Sequence, residues 1–369
     1  MDDRRQWDNS EEQWGVFMNF DKIQNRYIQT WALQNDDRPL VSIYAPKDRQ
    51  VMPSDLITPK KIEDRWQNTE YVIKQNKSII ENTYYACDAL PIFNPNLGPD
   101  ILGAILGCEL EYGETTSWAK NIVSDWTMQQ DLIFDKNNKY YKKIAEITKA
   151  ALEDSKGGYL VGITDLHSGL DCLVSLRGPE NLCIDLIEKP DEVKKFTLQI
   201  FSIFKKVFND LSEIIEQKQK GSTNWMGLWH PKRWYVTSCD FSCLISKDNF
   251  KEFILPELLA EIDFLDASVY HLDGPDALRH LDTLLEIPNL KGVQWVPGDG
   301  QKPPREWTDV LKRIQEAGKI VQINIGAADL KPICQALKPN GVMLNCYCRS
   351  EEEANASLKF LEDFYKVKI

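Results

Sequence analysis

Four short apolar runs, each followed by a loop and a helical stretch, occupy the last third of the chain. They cover residues 267–272, 292–296, 320–325 and 341–344 and start 21 to 28 residues apart. This spacing is typical of strand-loop-helix units in a parallel sheet. Gly318 and Gly341 stand beside two of the runs, where a connection from a helix to a strand needs glycine. No GxGxxG motif follows the first predicted strand, so the pattern favours a barrel over a doubly wound sheet.

The earlier part of the chain fits the same architecture less completely. Residues 40–45 lie between two prolines and predict the first strand, and residues 159–163 predict another. Residues 190–218 carry apolar side chains at steps of three and four and predict a long amphipathic helix. We therefore predict a single (β/α)8 TIM barrel over residues 37–369, preceded by an N-terminal helical extension over residues 1–36.

Composition bounds the location and the partners. The 369 residues are 43% hydrophobic and 27% charged, which suits one large globular domain. The formal net charge of −12 argues against nucleic acid as a partner. We find no apolar run of the roughly 18 residues that a membrane span needs and no signal peptide, and expect a cytoplasmic protein. The nine cysteines are scattered and predict free thiols rather than a disulfide framework.

Polar and aromatic side chains stand at the ends of the four predicted strands, where the active sites of barrels lie. His271 and Asp273 point to one side of their strand, and so do Cys346 and Cys348. Imidazole, carboxylate and thiolate are ligands of zinc, so these four residues are candidate metal ligands. In the alternative interpretation His271 is a hydrogen-bonded core residue, Asp273 caps the helix near Pro275, and the cysteines act as small hydrophobic residues.

Further candidates come from two segments and from His167, which follows the predicted strand at residues 159–163. Residues 224–235 concentrate aromatic rings in a loop-like context and predict a substrate wall or, alternatively, a satellite apolar cluster. Residues 107–119 hold several carboxylates, of which Glu109 is the candidate catalytic base, and any of which could instead be solvated. We predict substrate contacts by the aromatic, histidine and amide side chains of these segments and of the strand ends: Trp225, Trp229, His230, Tyr270, Trp295, Asn324, His167 and Trp118.

Three stretches carry a family resemblance. SCDFSCLISKDNFKEFILPELLAEIDFLDASVYHLDG, GVQWVPGDG and GVMLNCYCRSEEEANASLKFLEDF resemble the uroporphyrinogen decarboxylase-like superfamily. The resemblance covers most of the chain from about residue 36 and implies a TIM barrel. The decarboxylases of the superfamily have a Met-Arg-Gln-Ala-Gly-Arg pattern where this chain reads Ile43-Tyr44-Ala45-Pro46-Lys47-Asp48-Arg49. Without those arginines a substrate rich in carboxylates would be poorly held, so porphyrinogen decarboxylation is not expected.

The other branch of the superfamily comprises zinc-dependent methyltransferases that exchange methyl groups with a corrinoid protein. Its His-x-Cys pair and later cysteine correspond here to His271, Asp273 and either Cys346 or Cys348. The resemblance thus implies zinc, a cobalamin carried by a separate corrinoid-binding protein, and a small-molecule substrate such as a thiol, a pterin or a methylated ether or amine. Asp273 departs from the pattern, and if it is only a helix cap, Glu109 or Glu111 would have to supply a third ligand.

Two other functions remain open at this point. One is a lyase or hydrolase in which His271 or His167 acts as acid and base, with Asp273 orienting it. The other is a ligand-binding barrel without catalytic activity. The sequence does not indicate which compound enters the pocket or whether the chain forms a homodimer.

Overall fold

The computed structural model describes residues 20–51, 53–126 and 131–369 and shows a mixed α/β protein. A central, mostly parallel sheet is covered by helices. The seven strands of this sheet are β1 (Leu40–Pro46), β2 (Thr83–Cys87), β9 (Trp234–Ser238), β10 (Ala267–Asp273), β11 (Gly292–Val296), β12 (Ile320–Gly326) and β13 (Val342–Tyr347). Their order is β2-β1-β13-β12-β11-β10-β9, and only β2 is antiparallel to its neighbour.

Three strand pairs lie outside this sheet. They are the parallel pair β3 (Ile92–Phe93) and β6 (Leu160–Val161), the antiparallel pair β4 (Glu109–Tyr112) and β5 (Ser117–Lys120), and the antiparallel pair β7 (Ser222–Thr223) and β8 (Trp229–His230). A single parallel bridge joins Ile163 to Asn224. The arrangement is consistent with a barrel-like fold, although the ladders among the described residues do not form a closed ring.

In the described ranges, fourteen α-helices connect and cover the strands. They are α1 (Phe20–Trp31), α2 (Ile62–Gln67), α3 (Thr69–Glu81), α4 (Ile101–Ile105), α5 (Lys139–Ser155), α6 (Gly169–Arg177), α7 (Pro179–Glu188), α8 (Pro190–Glu216), α9 (Lys247–Asn249), α10 (Leu255–Phe264), α11 (Leu281–Leu285), α12 (Thr308–Glu316), α13 (Ala327–Ala336) and α14 (Glu351–Tyr365). Short 3-10 helices cover Asp240–Leu244, Pro275–His280 and Pro304–Trp307, and a π-helix covers Phe250–Ile254.

Most predicted elements are confirmed to within a few residues. The four apolar runs of the last third form β10 to β13, residues 40–45 form most of β1, and the long amphipathic segment forms α8. Helices α2 and α3 are separated by Asn68, which caps α3 by accepting from the backbone N–H of Tyr71. The loop-like context predicted for residues 224–235 is wrong in part, because β8 and the start of β9 lie there.

The N-terminal helix α1 packs against the segment that contains β8. The indole N–H of Trp31 donates to the carbonyl of Trp229 at 2.8 Å, and the Tyr27 side chain is completely buried. Residues 1–19 of the predicted extension lie outside the described residues. No helix in the described ranges is both long enough and apolar enough to cross a membrane.

Candidate functional site

One face of the parallel sheet carries a row of polar side chains near the carboxyl ends of its strands. Successive residues of a strand point to opposite faces, so every second residue of each strand contributes to this row. His271 of β10 contacts Gln294 of β11 through a short hydrogen bond between Nδ1 and Oε1. Asn324 Oδ1 accepts from Gln322 at 3.2 Å and from Asn345 at 3.1 Å. This face is therefore polar where the opposite face, which packs on helices, is apolar.

Asp240, His271 and Asp273 form a group that could hold a metal ion. One ligand atom from each lies within 4.8 Å of the others, and Asp240 Oδ1 is 4.0 Å from His271 Nε2. Two bonds of about 2.0–2.2 Å to a shared cation would span such a separation. The Nδ1 contact with Gln294 directs a ring proton toward the amide oxygen and leaves the Nε2 lone pair facing the carboxylates.

Asp273 does not cap the helix that follows it. The 3-10 helix begins after Gly274, whose position has no side-chain capping hydrogen bond, and Asp273 is exposed beside Asp240 and His271. The helix-cap alternative for Asp273 is therefore wrong. The carboxylate stays free for a ligand.

A second group shares Asp240. His167, Asp171 and Asp240 also bring ligand atoms within 4.8 Å of one another. His167 lies between two carboxylates, with Nε2 3.1 Å from Asp165 Oδ2 and Nδ1 3.3 Å from Asp171 Oδ2. Asp171 is buried and also accepts from the backbone N–H of Asp240 at 2.8 Å and of Phe241 at 3.0 Å. It thereby ties helix α6 to the turn that carries Asp240.

Burial and charge shift the pKa values of this cluster. Burial acts to lower the pKa of His167, but Asp165 and Asp171 outweigh it, so that the pKa lies well above its ordinary value. Burial and the neighbouring Asp171 raise the pKa of Asp240 to about 6, against the opposing effect of His167 and His271. Below the carboxyl cluster, burial raises the pKa of Glu257 to about 7. Perturbed titrations concentrated at strand ends are typical of functional sites.

A cleft of about 680 Å³ opens beside the polar row, at the ends of β1, β3 and β13. Trp225 forms its boundary with the acidic cluster, since its ring lies 5.3 Å from that of His271 and also lines the cleft. Among the described residues that line the cleft there is no Lys, Arg, Asp, Glu or His. Its walls are instead aromatic rings, amides and hydroxyls, including Tyr44, Tyr71, Tyr85, Tyr347, Asn94 and Trp225.

The structure does not bring Cys346 and Cys348 to His271. Neither metal-capable group among the described residues contains a cysteine. In β13 the polar face takes Asn345, so Cys346 points to the opposite face, and Cys348 contacts Ser357 of α14 at 3.7 Å. The predicted convergence of thiolates with His271 fails because residues 346 and 348 have the parity of the helix-packed face.

The same parity removes two other predicted contacts from the cleft. Tyr270 and Trp295 are almost completely buried on the apolar face, and Trp295 packs edge-on against Trp307 at 5.0 Å. Trp229 and His230 pack with α1, where the His230 ring lies 5.0 Å from that of Trp31. These four residues pack in the protein interior and do not line the cleft. For Trp229 and His230 this agrees with the alternative interpretation as a satellite apolar cluster.

Glu109 and Trp118 lie on the β4-β5 hairpin. Glu109 pairs with Lys139 at 2.6 Å and accepts from the Tyr140 hydroxyl at 2.8 Å, so its carboxylate is already partnered. Glu111 pairs with Lys120 at 2.7 Å. Trp118 is 56% exposed and packs on Gly113. Neither glutamate belongs to a metal-capable group in the described part of the chain.

Sequence reasoning missed Asp240, Asp171, Asp165 and Gln294. Asp240 stands two residues beyond β9, as Asp273 stands at the end of β10, but β9 was hidden by its aromatic residues. Gln294 directly precedes Trp295 in β11, so the two side chains point to opposite faces of the sheet. Trp295 is the predicted contact, whereas Gln294 lies on the face of His271. Among the predicted residues, the structure links His271, Asp273 and His167 through Asp240 and places Trp225 against His271. Asn324 lies farther along the same polar row, beside Asn345.

Comparison with known proteins shows a likeness in fold. No family model matches the chain, and no curated protein matches it either. Among solved structures it is similar to a methyltransferase from Methanosarcina mazei, with a TM-score of 0.60 and 12% sequence identity. The similarity covers 93% of this chain and 99% of that one. At this level of identity the likeness shows that the two chains share a fold.

Proposed function

We propose that this chain is a methyltransferase that holds a divalent metal ion, zinc, between His271, Asp240 and Asp273. It would move a methyl group between a small molecule in the neighbouring cleft and a corrinoid carried by a separate protein. The observation that carries the proposal is the His271 group, which lies next to Trp225 in the wall of an uncharged cleft. The fold shared with a methyltransferase and the superfamily resemblance support the same chemistry.

The donor set fits a divalent ion. Two carboxylates offset its charge, and one imidazole presents a free Nε2 because Gln294 takes up Nδ1. The ligand set is harder than the thiolate-rich set that the resemblance implies. Bound there, the ion would polarise a methylated heteroatom or lower the pKa of an acceptor thiol.

The cleft indicates what kind of molecule would approach. Its described lining has no fixed charge, and burial raises the pKa of Tyr44, which keeps that phenol neutral. Asn94 Oδ1 and Trp225 Nε1 are buried without a hydrogen-bond partner and border the cleft. An uncharged substrate with both a donor and an acceptor group would satisfy them, whereas a phosphate or polycarboxylate would find no cation.

The experiment measures metal and methyl transfer on the same preparations. Wild-type protein purified without chelator should contain about one equivalent of zinc, and His271→Ala and Asp240→Asn should each contain less than about 0.2. Asp276→Asn is the control, because that carboxylate is 81% exposed and lies outside both groups. With methylcobalamin and an acceptor thiol, or with reduced unmethylated cobalamin and a methylated donor, metal loading should restore activity to stripped wild-type protein only. Full activity of stripped protein would overturn the proposal.

The cluster around His167 favours a second candidate function. A histidine held between Asp165 and Asp171 is a ready proton carrier for a lyase or hydrolase that works without a corrinoid. His167→Gln with retained zinc separates the two. Methyl transfer should fall only modestly in this variant, whereas an acid-base enzyme would lose nearly all activity.

A further inference from the structure

Cys346 and Cys348 form a close thiol pair at the end of β13. Their sulfur atoms lie 4.0 Å apart, and Tyr347 between them points to the opposite side. Alternate residues of an extended segment share a face, which explains the approach. The pair faces α14, where the Ser357 hydroxyl lies 3.7 Å from Cys348 Sγ.

The two thiols differ in access. Cys346 is fully buried, whereas Cys348 retains 7% exposure and belongs to the lining of the cleft. A small reagent in the cleft therefore meets Cys348 before Cys346. The remaining thiol of the pair is then already within reach of the modified sulfur.

The electrostatics of the pair agree with this order. The hydrogen bond from Cys346 lowers the pKa of Cys348, and the Ser357 hydroxyl lowers it further. The same contact and burial raise the pKa of Cys346. Because the thiolate is the reactive form, Cys348 is the better nucleophile.

We propose that Cys346 and Cys348 are a peroxide-reactive dithiol in the wall of the cleft, a site distinct from the His271 group. In the first step the Cys348 thiolate attacks one oxygen of hydrogen peroxide, the O–O bond breaks, and after protonation one water leaves. In the second, Cys346 sulfur attacks the resulting sulfenic acid, loses its proton, and releases a second water as the S–S bond forms. The two thiols lose two electrons, which reduce the peroxide.

Closing this bond has a consequence for the cleft. Alternate residues of a strand stand about 6.6 Å apart at Cα, near the upper end of the range for disulfides, so the chain around Tyr347 must contract. Tyr347 stacks on Tyr44 at 5.5 Å, and the Cys348 N–H donates to the Tyr44 carbonyl at 2.7 Å. Oxidation therefore shifts two of the aromatic walls of the cleft.

The test treats the full chain with hydrogen peroxide and maps its peptides by mass spectrometry. In wild-type protein the peptide that contains both cysteines should lose two hydrogen atoms, resist alkylation and recover with dithiothreitol. In Cys346→Ser a sulfenic acid should accumulate at Cys348 and be trapped by dimedone. In Cys348→Ser the Cys346 thiol should remain open to alkylation after peroxide treatment and unfolding.

The half-buried Cys183 and Cys243 serve as internal references, because each is a free thiol outside the pair. We expect Cys348 to react at least about tenfold faster than either, following its larger thiolate fraction. Circular dichroism checks the fold of each variant, and Cys348→Ala replaces Cys348→Ser if the latter unfolds. Failure of dimedone to label Cys348 in Cys346→Ser, or faster oxidation of Cys183 and Cys243 while the pair stays reduced, would overturn the proposal.

Discussion

The Asp240 carboxylate lies 4.0 Å from Nε2 of His271, although Asp240 follows β9 and His271 belongs to the next strand of the sheet. Asp240 begins a 3-10 turn after β9, and His271 lies inside β10, whose register places it beside Ser238. The approach therefore depends on the turn that follows β9. We therefore expect residues that hold this turn or orient the imidazole to change the geometry of the candidate site, although they would not bind the metal ion themselves.

Gln294 should control the affinity of the site for metal. Gln294→Ala removes the partner of His271 Nδ1 and frees the imidazole to change tautomer and rotate. Loss of such a supporting contact typically costs about 10- to 100-fold in metal affinity. Competition between the protein and a fluorescent zinc chelator measures the change. Gln315→Ala should leave affinity unchanged, because this half-buried helix residue bonds only the backbone of the 338–340 turn.

Asp171 should act as a positioning residue. Asp171→Asn keeps the shape but loses one charged acceptor for the amides of Asp240 and Phe241. We expect the free energy of unfolding to fall by about 1 to 3 kcal/mol. The pKa of His167 should also decrease, because one of its two carboxylates is gone. Urea unfolding and proton NMR titration of His167 measure the two effects, and an unchanged His167 pKa would contradict the assigned contact.

Glu257 should make stability depend on pH. Burial raises its pKa from 4.5 to about 7 in the folded chain, so the folded state holds this proton more tightly than the unfolded state. The resulting stabilisation is complete below about 4.5 and is lost as the pH rises to about 7. Glu257→Gln should remove this loss and raise stability at pH 8 by roughly 1 to 3 kcal/mol.

Urea unfolding at several pH values between 4 and 8 tests the Glu257 prediction. Glu252→Gln is the control, because that side chain is half exposed and pairs with Lys194 at the surface. Buried Glu261 shifts in the same direction and will leave some pH dependence in the single variant. Parallel pH profiles for wild type and Glu257→Gln would rule out the effect.

Arg38 should be among the costliest polar residues to remove. It donates to both oxygens of Asp88, at 2.5 and 2.8 Å, and both side chains are buried. Arg38→Ala leaves a buried carboxylate without its cation and should cost about 3 to 5 kcal/mol. Lys120→Ala, which breaks the exposed pair with Glu111, should leave the denaturant midpoint nearly unchanged. Denaturant midpoints measured side by side give the comparison.

Strands of the last third could be predicted because apolar runs and glycine turns are local signals. The end of β10 also identified His271 and Asp273, since both directly close an apolar run. The parity of β11 and β13 could not be read in the same way. Each of these strands has a single amide side chain, Gln294 or Asn345, among apolar residues, so no alternation shows which residues meet His271. The sequence therefore places Trp295 and Cys346 on the wrong face.

Asp240 and Asp171 could not be found for a different reason. Their contact joins helix α6 to a turn far along the chain, and no local pattern encodes such a pairing. The β9 strand that precedes Asp240 is rich in aromatic residues and follows a short hairpin, which made the whole segment resemble a loop. The β9 strand is buried because it packs against α8, where the Tyr235 ring lies 5.6 Å from that of Phe208.

Trp225 separates two parts of the opening that come from different strands. The acidic part consists of residues that follow β6 and β9 and residues at the end of β10. The lining of the uncharged cleft includes residues of β1, β3 and β13. A substitution in the first or last strand can thus alter what the cleft accepts while the histidine and carboxylates stay in place. Substrate preference can therefore evolve by substitutions in the cleft on one side of Trp225. The candidate metal ligands on its other side are inherited unchanged.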